Sequence, residues 1–211
     1  MKKFLLIFIS ILSFISTSCI KIEEYISINE NGIGYYKIKL DLSNIAMFSQ
    51  VMNSPADKIA DEIQYYVDNI RAIKGINNVN FAHSEKFIEI SFNFENTKAF
   101  KQVLKTITDN KFNILIPNYI KLSDNKIVKK NISPYVKKFI EYSQKLQNNY
   151  NFTINDYTLG LVNFNTYIIT PNEIKKVSHP LANKSKENEV VLKTNLRDLK
   201  YGFDNKIKVK F

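Results

Sequence analysis

The sequence predicts an α+β fold: an antiparallel sheet built from hairpins, with about three amphipathic helices packed on it. Runs of alternating apolar and polar residues recur on either side of short turns, which is the hairpin pattern. Other stretches repeat apolar residues at three- and four-residue spacing behind Ser-Pro or Asn, as capped helices do. Strands and helices follow one another without a regular strand–helix–strand rhythm, so a doubly wound parallel sheet is not indicated.

The chain opens with Lys2 and Lys3, then runs apolar from Phe4 to Ile15 with only single serines between. Ser16, Thr17 and Ser18 follow, in front of Cys19, the sole cysteine. A basic start, an apolar middle of roughly 7–15 residues and a small-residue exit make a secretory signal. A membrane span needs about 20 apolar residues. The expectation is a signal peptide over residues 1–18, cleaved to leave a single mature domain over 19–211. Small residues running into a cysteine resemble the lipobox of bacterial lipoproteins, with Ser16 standing where that pattern carries an aliphatic residue. The resemblance implies that Cys19 is lipidated, as an S-diacylglycerol cysteine with an N-acylated amino group. One acyl chain binds a bilayer marginally and two or more hold stably, so it implies a firm extracytoplasmic anchor. Read alone, the same residues also allow a plain secretory signal or an uncleaved short anchor.

Residues 20–28 alternate, with Ile22, Ile26 and Ile28 on one side and Lys21, Glu23, Tyr25 and Ser27 on the other. Residues 33–42 alternate again, and Asn31-Gly32 between them suits a tight turn. Residues 43–52 are ambiguous. Ser54-Pro55 starts a helix carrying Ile59, Ile63, Tyr66, Val67 and Ile70 on one stripe, with Gly75 as its stop. Residues 79–83 and 87–94 make a second hairpin. Asn96 caps a helix with Ala99, Phe100, Val103, Leu104 and Ile107 on its stripe. Short strands are expected at 112–116 and near Ile127, and Ser133-Pro134 starts a third helix. Strands are then expected at 152–154, 157–164, 166–169, 174–177, 190–192 and 207–211. A polar loop is expected at 183–188 and a turn at 195–199. No repeat or Pro/Gly/Ser linker divides the chain, which predicts one domain.

The formal net charge is +10, from 30 basic and 20 acidic residues. Arg71 and Arg197 are the only arginines, whereas readers of phosphate and bases favour the arginine fork. Nucleic acid is therefore not an expected partner. The lysines are spread (Lys129-Lys130, Lys137-Lys138, Lys175-Lys176, Lys184, Lys186), which predicts a solvated basic surface leaning towards anionic headgroups.

The cysteine, the two alternating strands about Asn31-Gly32, Asp41-Leu42-Ser43, and the run from Ile169-Thr170-Pro171 through Lys175-Lys176-Val177-Ser178 to the final strand are similar to a group of bacterial lipoproteins commonest among the Bacteroidetes. The same features resemble the LppM-like lipoprotein domain. The resemblance implies a β-rich α+β fold and a cell-envelope setting, and no activity. In some lipoproteins of that group, charged residues beside the lipidated cysteine direct surface export. Lys21, Glu23 and Glu24 are candidates for that role, and strand alternation explains them equally as the solvent side of the first strand.

Catalytic chemistry finds little support. His83 and His179 are the only histidines, and no His-x-x-x-His or Cys-x-x-Cys accompanies them, so no metal site is expected. Ser178 and His179 are adjacent, which does not make a nucleophile–base pair. Asp57, Asp61 and Glu62 fall at helical spacing, so Asp57 and Asp61 share a face. Near a helix start carboxylates answer the helix dipole more often than they perform acid–base work, and no second carboxylate group stands opposite them in the sequence. Of Tyr35-Tyr36 and Tyr65-Tyr66, one of each pair is expected in the core and one in solvent. No phosphate-cradling Gly-rich loop is present, and no cofactor is expected. These readings predict a non-enzymatic envelope lipoprotein, most simply at the outer membrane. Its partners would be the membrane, through covalent lipid, and other envelope proteins. The alternative is an envelope hydrolase whose residues converge only in the folded chain, in a deep pocket of titratable groups with shifted pKa values.

Overall fold

The computed structural model describes residues 20–41, 43, 55–84, 86–107, 119–146 and 155–211; for residues 55–62, 139 and 142–146 it describes the backbone alone. The signal segment, Cys19, the ambiguous stretch at 43–52 (but for Ser43) and the strands expected at 112–116 and 152–154 lie outside the described residues. In chain order the elements are β1 (Ile20–Ile28), β2 (Gly34–Asp41), α1 (Pro55–Arg71), β3 (Ile76–Ser84), β4 (Phe87–Phe94) and α2 (Thr97–Ile107). Then come β5 (Ile120–Ser123), β6 (Lys126–Lys129), α3 (Ser133–Leu146), α4 (Asp156–Gly160), β7 (Val162–Ile169) and β8 (Lys176–Val177). The chain closes with β9 (Asn183–Lys186), β10 (Glu189–Asn195), α5 (Leu196–Lys200) and β11 (Ile207–Lys210).

The strands form two sheets, one of seven strands in the order β3-β4-β2-β1-β7-β10-β9 and one of four in the order β5-β6-β11-β8. Both expected hairpins are present. Gly32, at φ 77°, makes the first turn, where Asn29 N donates to Ile33 O. Gly34 begins β2 because Phe94 of β4 lies against it: a Cβ there would stand 2.2 Å from the ring. Asn96 caps α2 as expected, its Oδ1 accepting from the Lys98 and Ala99 amides at 3.0 Å.

The fold is α+β, but its large sheet is mixed and not purely antiparallel. β1 and β7 run parallel, with Ile20 opposite Val162 and Ser27 opposite Ile169. The chain leaves the four-stranded sheet, passes through α3 and α4, and re-enters at the end where β1 starts, so β7 must run the same way. Parallel neighbours need such a long crossover, and neither strand's own pattern reveals it.

Three local expectations are corrected. Residues 157–160 belong to helix α4 rather than a strand, because Asn155 and Thr158 form a reciprocal capping box with bonds of 2.9 and 3.0 Å. The expected loop at 183–188 contains β9, an edge strand on β10 whose four residues are all exposed and so show no apolar alternation. The expected turn at 195–199 is α5, capped by Asn195 Oδ1 on the Asp198 amide at 2.8 Å. The strands it was expected to join, β10 and β11, lie in different sheets.

One core serves both sheets. Ile26, Phe92, Phe94 and Ile168 of the larger sheet, Phe100 of α2, and Ile127 and Val209 of the smaller sheet belong to a single buried cluster. Phe100 sits among the aromatics, 5.0 Å from both Tyr36 and Phe94. Each such ring removed from water contributes about 1.5–3 kcal/mol.

Candidate functional site

Alternation places Glu24 on the same side of β1 as Ile22, Ile26 and Ile28, so a carboxylate points into the core and is 1% exposed. Its neighbours satisfy it. Oε1 accepts from the hydroxyls of Tyr119 at 2.6 Å and Tyr36 at 3.0 Å, and Oε2 accepts from Thr166 at 3.0 Å. Strand register explains these contacts, since Thr166 is Glu24's partner on β7 and Tyr36 is the partner of Ile26 on β2. Lys129 ends β6 with its side chain fully buried, its Nζ 3.7 Å from Glu24 Oε2 and 3.4 Å from the carbonyl of Asn205. The rings of Tyr119 and Phe164 flank that ammonium at 5.3 and 5.8 Å.

Burial pulls the Lys129 pKa below its ordinary value, while Glu24 and then Asp204 oppose the shift. Burial first, and Glu24 second, push the phenols of Tyr36 and Tyr119 well above theirs, so both remain donors to the carboxylate. A carboxylate, an ammonium and two phenols could in principle perform acid–base chemistry. Here neither charged end reaches solvent, so a substrate has no approach. The cluster instead fastens the larger sheet (Glu24, Thr166) to the smaller one (Lys129).

The opposite face of the larger sheet is built differently. Tyr25 of β1 and Tyr167 of β7, direct register partners, stack with centroids 4.5 Å apart and 8° between planes. Both hydroxyls donate to Glu23, each at 3.4 Å. Burial and then Glu23 raise both phenol pKa values. Lys37 lies 4.3 Å over Tyr25 and 3.6 Å from Glu89. Tyr25 is thus covered on one face by Tyr167 and on the other by Lys37.

A third feature is a groove of about 250 Å³ on the smaller sheet, lined by Lys176, Ser178, Lys208 and Lys210. Ser178 Oγ accepts the Lys208 amide at 3.0 Å, which fixes the floor of the groove.

The expected candidates are scattered across the fold. Of the export candidates, Lys21 is exposed and Glu23 is engaged with the two tyrosines. Glu24 is not on the solvent side of β1, because its even register turns it inward towards Lys129. Lys129 is likewise no surface lysine. His179 is held by both ring nitrogens, Nδ1 accepting the Leu181 amide at 3.1 Å and Nε2 donating to the Asp204 carbonyl at 2.7 Å. His83 stacks on Phe81 at 5.3 Å. Asp57, Asp61 and Glu62 fall within α1, where only the backbone is described. Tyr36 packs partly buried against the core and Tyr65 is exposed, but Tyr35 and Tyr66 are both half-buried, so neither pair divides cleanly between core and solvent. Among the described residues, no group of three His, Cys, Asp or Glu side chains is placed to hold a metal. Glu24 had one sequence signal: an acid in register with Ile22, Ile26 and Ile28 on an otherwise apolar side. Lys129 had the corresponding one, in register with Ile127.

These features define a two-sheet α+β domain with a solvent-free ion pair between the sheets and a lysine-lined groove on one of them. No protein-family model matches the chain, and no curated protein sequence does. Among solved structures it is similar to the NMR structure of the folded domain of LppM (Rv2171) from Mycobacterium tuberculosis. The identity is 7%, over 90% of this chain and 88% of that one, with a TM-score of 0.42. A likeness of that degree carries no argument about activity, partner or source organism. No described helix is long and apolar enough to cross a membrane.

Proposed function

We propose that the protein is a cell-envelope lipoprotein, anchored through lipidated Cys19 and acting as a non-enzymatic binding or structural component. The observation that carries this reading is the position of β1. That strand begins at Ile20, the residue after Cys19, lies between β2 and β7 inside the larger sheet, and bears Glu24 of the inter-sheet pair. A lipid on Cys19 would sit next to the central strand of the larger sheet, with no flexible stalk between bilayer and domain. The non-enzymatic part is supported by where the titratable groups converge, in a core that solvent does not enter. An outer-membrane location and envelope-protein partners belong to the same proposal.

The test is expression in a lipoprotein-processing host with an alkyne-tagged palmitate. The chain should take up label, partition into the detergent phase and accumulate as a larger precursor under globomycin. Cys19→Ala should abolish all three. Label uptake that survives Cys19→Ala, or a wild-type chain that takes up none, overturns the reading.

A further inference from the structure

We propose that the solvent face of the four-stranded sheet is a docking surface for anionic phospholipid headgroups, centred on Lys126, Lys176, Lys208 and Lys210. The four strands read Ile-Lys-Leu-Ser, Lys-Ile-Val-Lys, Lys-Val and Ile-Lys-Val-Lys, with no acidic residue among them. The alternate positions Ile120, Ile127, Ile207 and Val209 are buried, which turns Lys121, Lys126, Lys208 and Lys210 to the other side. Register then sets three lysines in one row across the sheet, Lys126 opposite Lys210 and Lys210 opposite Lys176. Like charges directly opposite one another in a sheet repel. None of these lysines makes an ion pair among the described residues. A surface that accumulates unpaired ammoniums at strand spacing is complementary to a layer of phosphates, and the groove between Lys176, Lys208 and Lys210 is where one phosphate would sit beside the Ser178 hydroxyl.

A bilayer is the occupant favoured by the distance to the anchor. Ile20, the residue after Cys19, starts β1 four residues before Glu24, about 13 Å of extended strand. The carboxylate of Glu24 touches Lys129, which lies on β6, the strand that also carries Lys126. This location rests on the lipoprotein reading, while the binding itself does not.

The test uses the full chain carrying Cys19→Ala, so that no lipid can attach, in co-sedimentation with vesicles. Phosphatidylcholine alone is compared with a phosphatidylcholine–phosphatidylglycerol mixture. Binding should favour the anionic vesicles and fall steeply with salt. Lys208→Gln/Lys210→Gln should weaken it about 30-fold, since each cation near such a surface contributes about fivefold. The same charge change on α3, Lys137→Gln/Lys138→Gln, should weaken it far less. Circular dichroism melts establish that each variant is folded, and Lys176→Gln, at the sheet edge, gives a second reading of the same face. Equal losses at the two sites, no preference for anionic vesicles, or inorganic phosphate competing as well as vesicles do would each overturn the proposal. Because Cys19 is absent throughout, these outcomes are separable from a failure of lipidation.

Discussion

The solvent faces of the two sheets treat the same residue type in opposite ways. On the larger sheet Lys37 meets Glu89 and covers Tyr25, and Lys39 covers Phe87 at 5.2 Å. On the smaller sheet Lys126, Lys210 and Lys176 stand in a row with no acid on any strand. Among the described residues, the one lysine of the smaller sheet that is neutralised by a carboxylate, Lys129, does so by pointing the other way, through the core to Glu24. A net charge of +10 is therefore not spread evenly. It is cancelled where the alternate positions of a strand supply acids and concentrated where they do not.

The largest effect should come from breaking the pair that joins the sheets. Glu24→Ala leaves a buried ammonium facing one carbonyl at 3.4 Å. An uncompensated buried charge costs about 3–5 kcal/mol, a large share of the roughly 5–15 kcal/mol by which domains are stable. Urea denaturation should show that loss. Replacing both partners, as Glu24→Leu with Lys129→Met, should recover part of it, because no charge is left to desolvate while the hydroxyls of Tyr36, Tyr119 and Thr166 still lack their acceptor. A double variant as unstable as the single one would mean that the contact works by shape, not charge.

Alkaline pH should sharpen the same point on a smaller scale. The folded-state pKa values of Tyr36 and Tyr119 lie above the ordinary 10.0. Their contribution is thus fully present below about pH 10 and lost as pH rises past it. The slope is at most about 1.4 kcal/mol per pH unit for each phenol. Lys129 has the opposite sign, since its pKa is lowered from 10.5 and its burial cost is relieved as pH rises towards that value. Urea midpoints between pH 7 and 11 should fall above pH 10 in the wild type. The fall should be shallower in Tyr119→Phe, and Lys129→Met should lose the partial compensation below it.

Much of this fold was legible, and the illegible parts share a cause. Both hairpins, α1 and α2 announce themselves because each buries one face and each turn or cap needs a particular residue, Gly32 and Asn96 among them. β9 buries nothing, so Asn183-Lys184-Ser185-Lys186 reads as loop. α4 rests on a capping box that a strand-like run of apolar residues conceals. The parallel pairing of β7 with β1 depends on a crossover and on no local pattern. The Glu24 cluster was half visible. A charged residue in register with Ile22 and Ile26 marks a buried acid, but its cation lies 105 positions away on another sheet and nothing in either segment names the other.

The smallest effect separates the two faces most directly. Lys37 and Glu89 are about a quarter exposed, so their pair contributes only about 0.2–1 kcal/mol. Lys37→Gln should lower stability by roughly that amount. Lys210→Gln makes the same change in net charge, but it removes a repulsive neighbour of Lys126 and Lys176 rather than an attractive one of Glu89. It should raise stability by a few tenths of a kcal/mol in dilute buffer, and the gain should shrink towards zero at 0.5 M salt as screening removes the repulsion. Opposite signs for two neutralised strand lysines would establish that one face is charge-balanced and the other is not. Matching signs would leave net charge alone as the explanation, and the lysine row would lose its special standing.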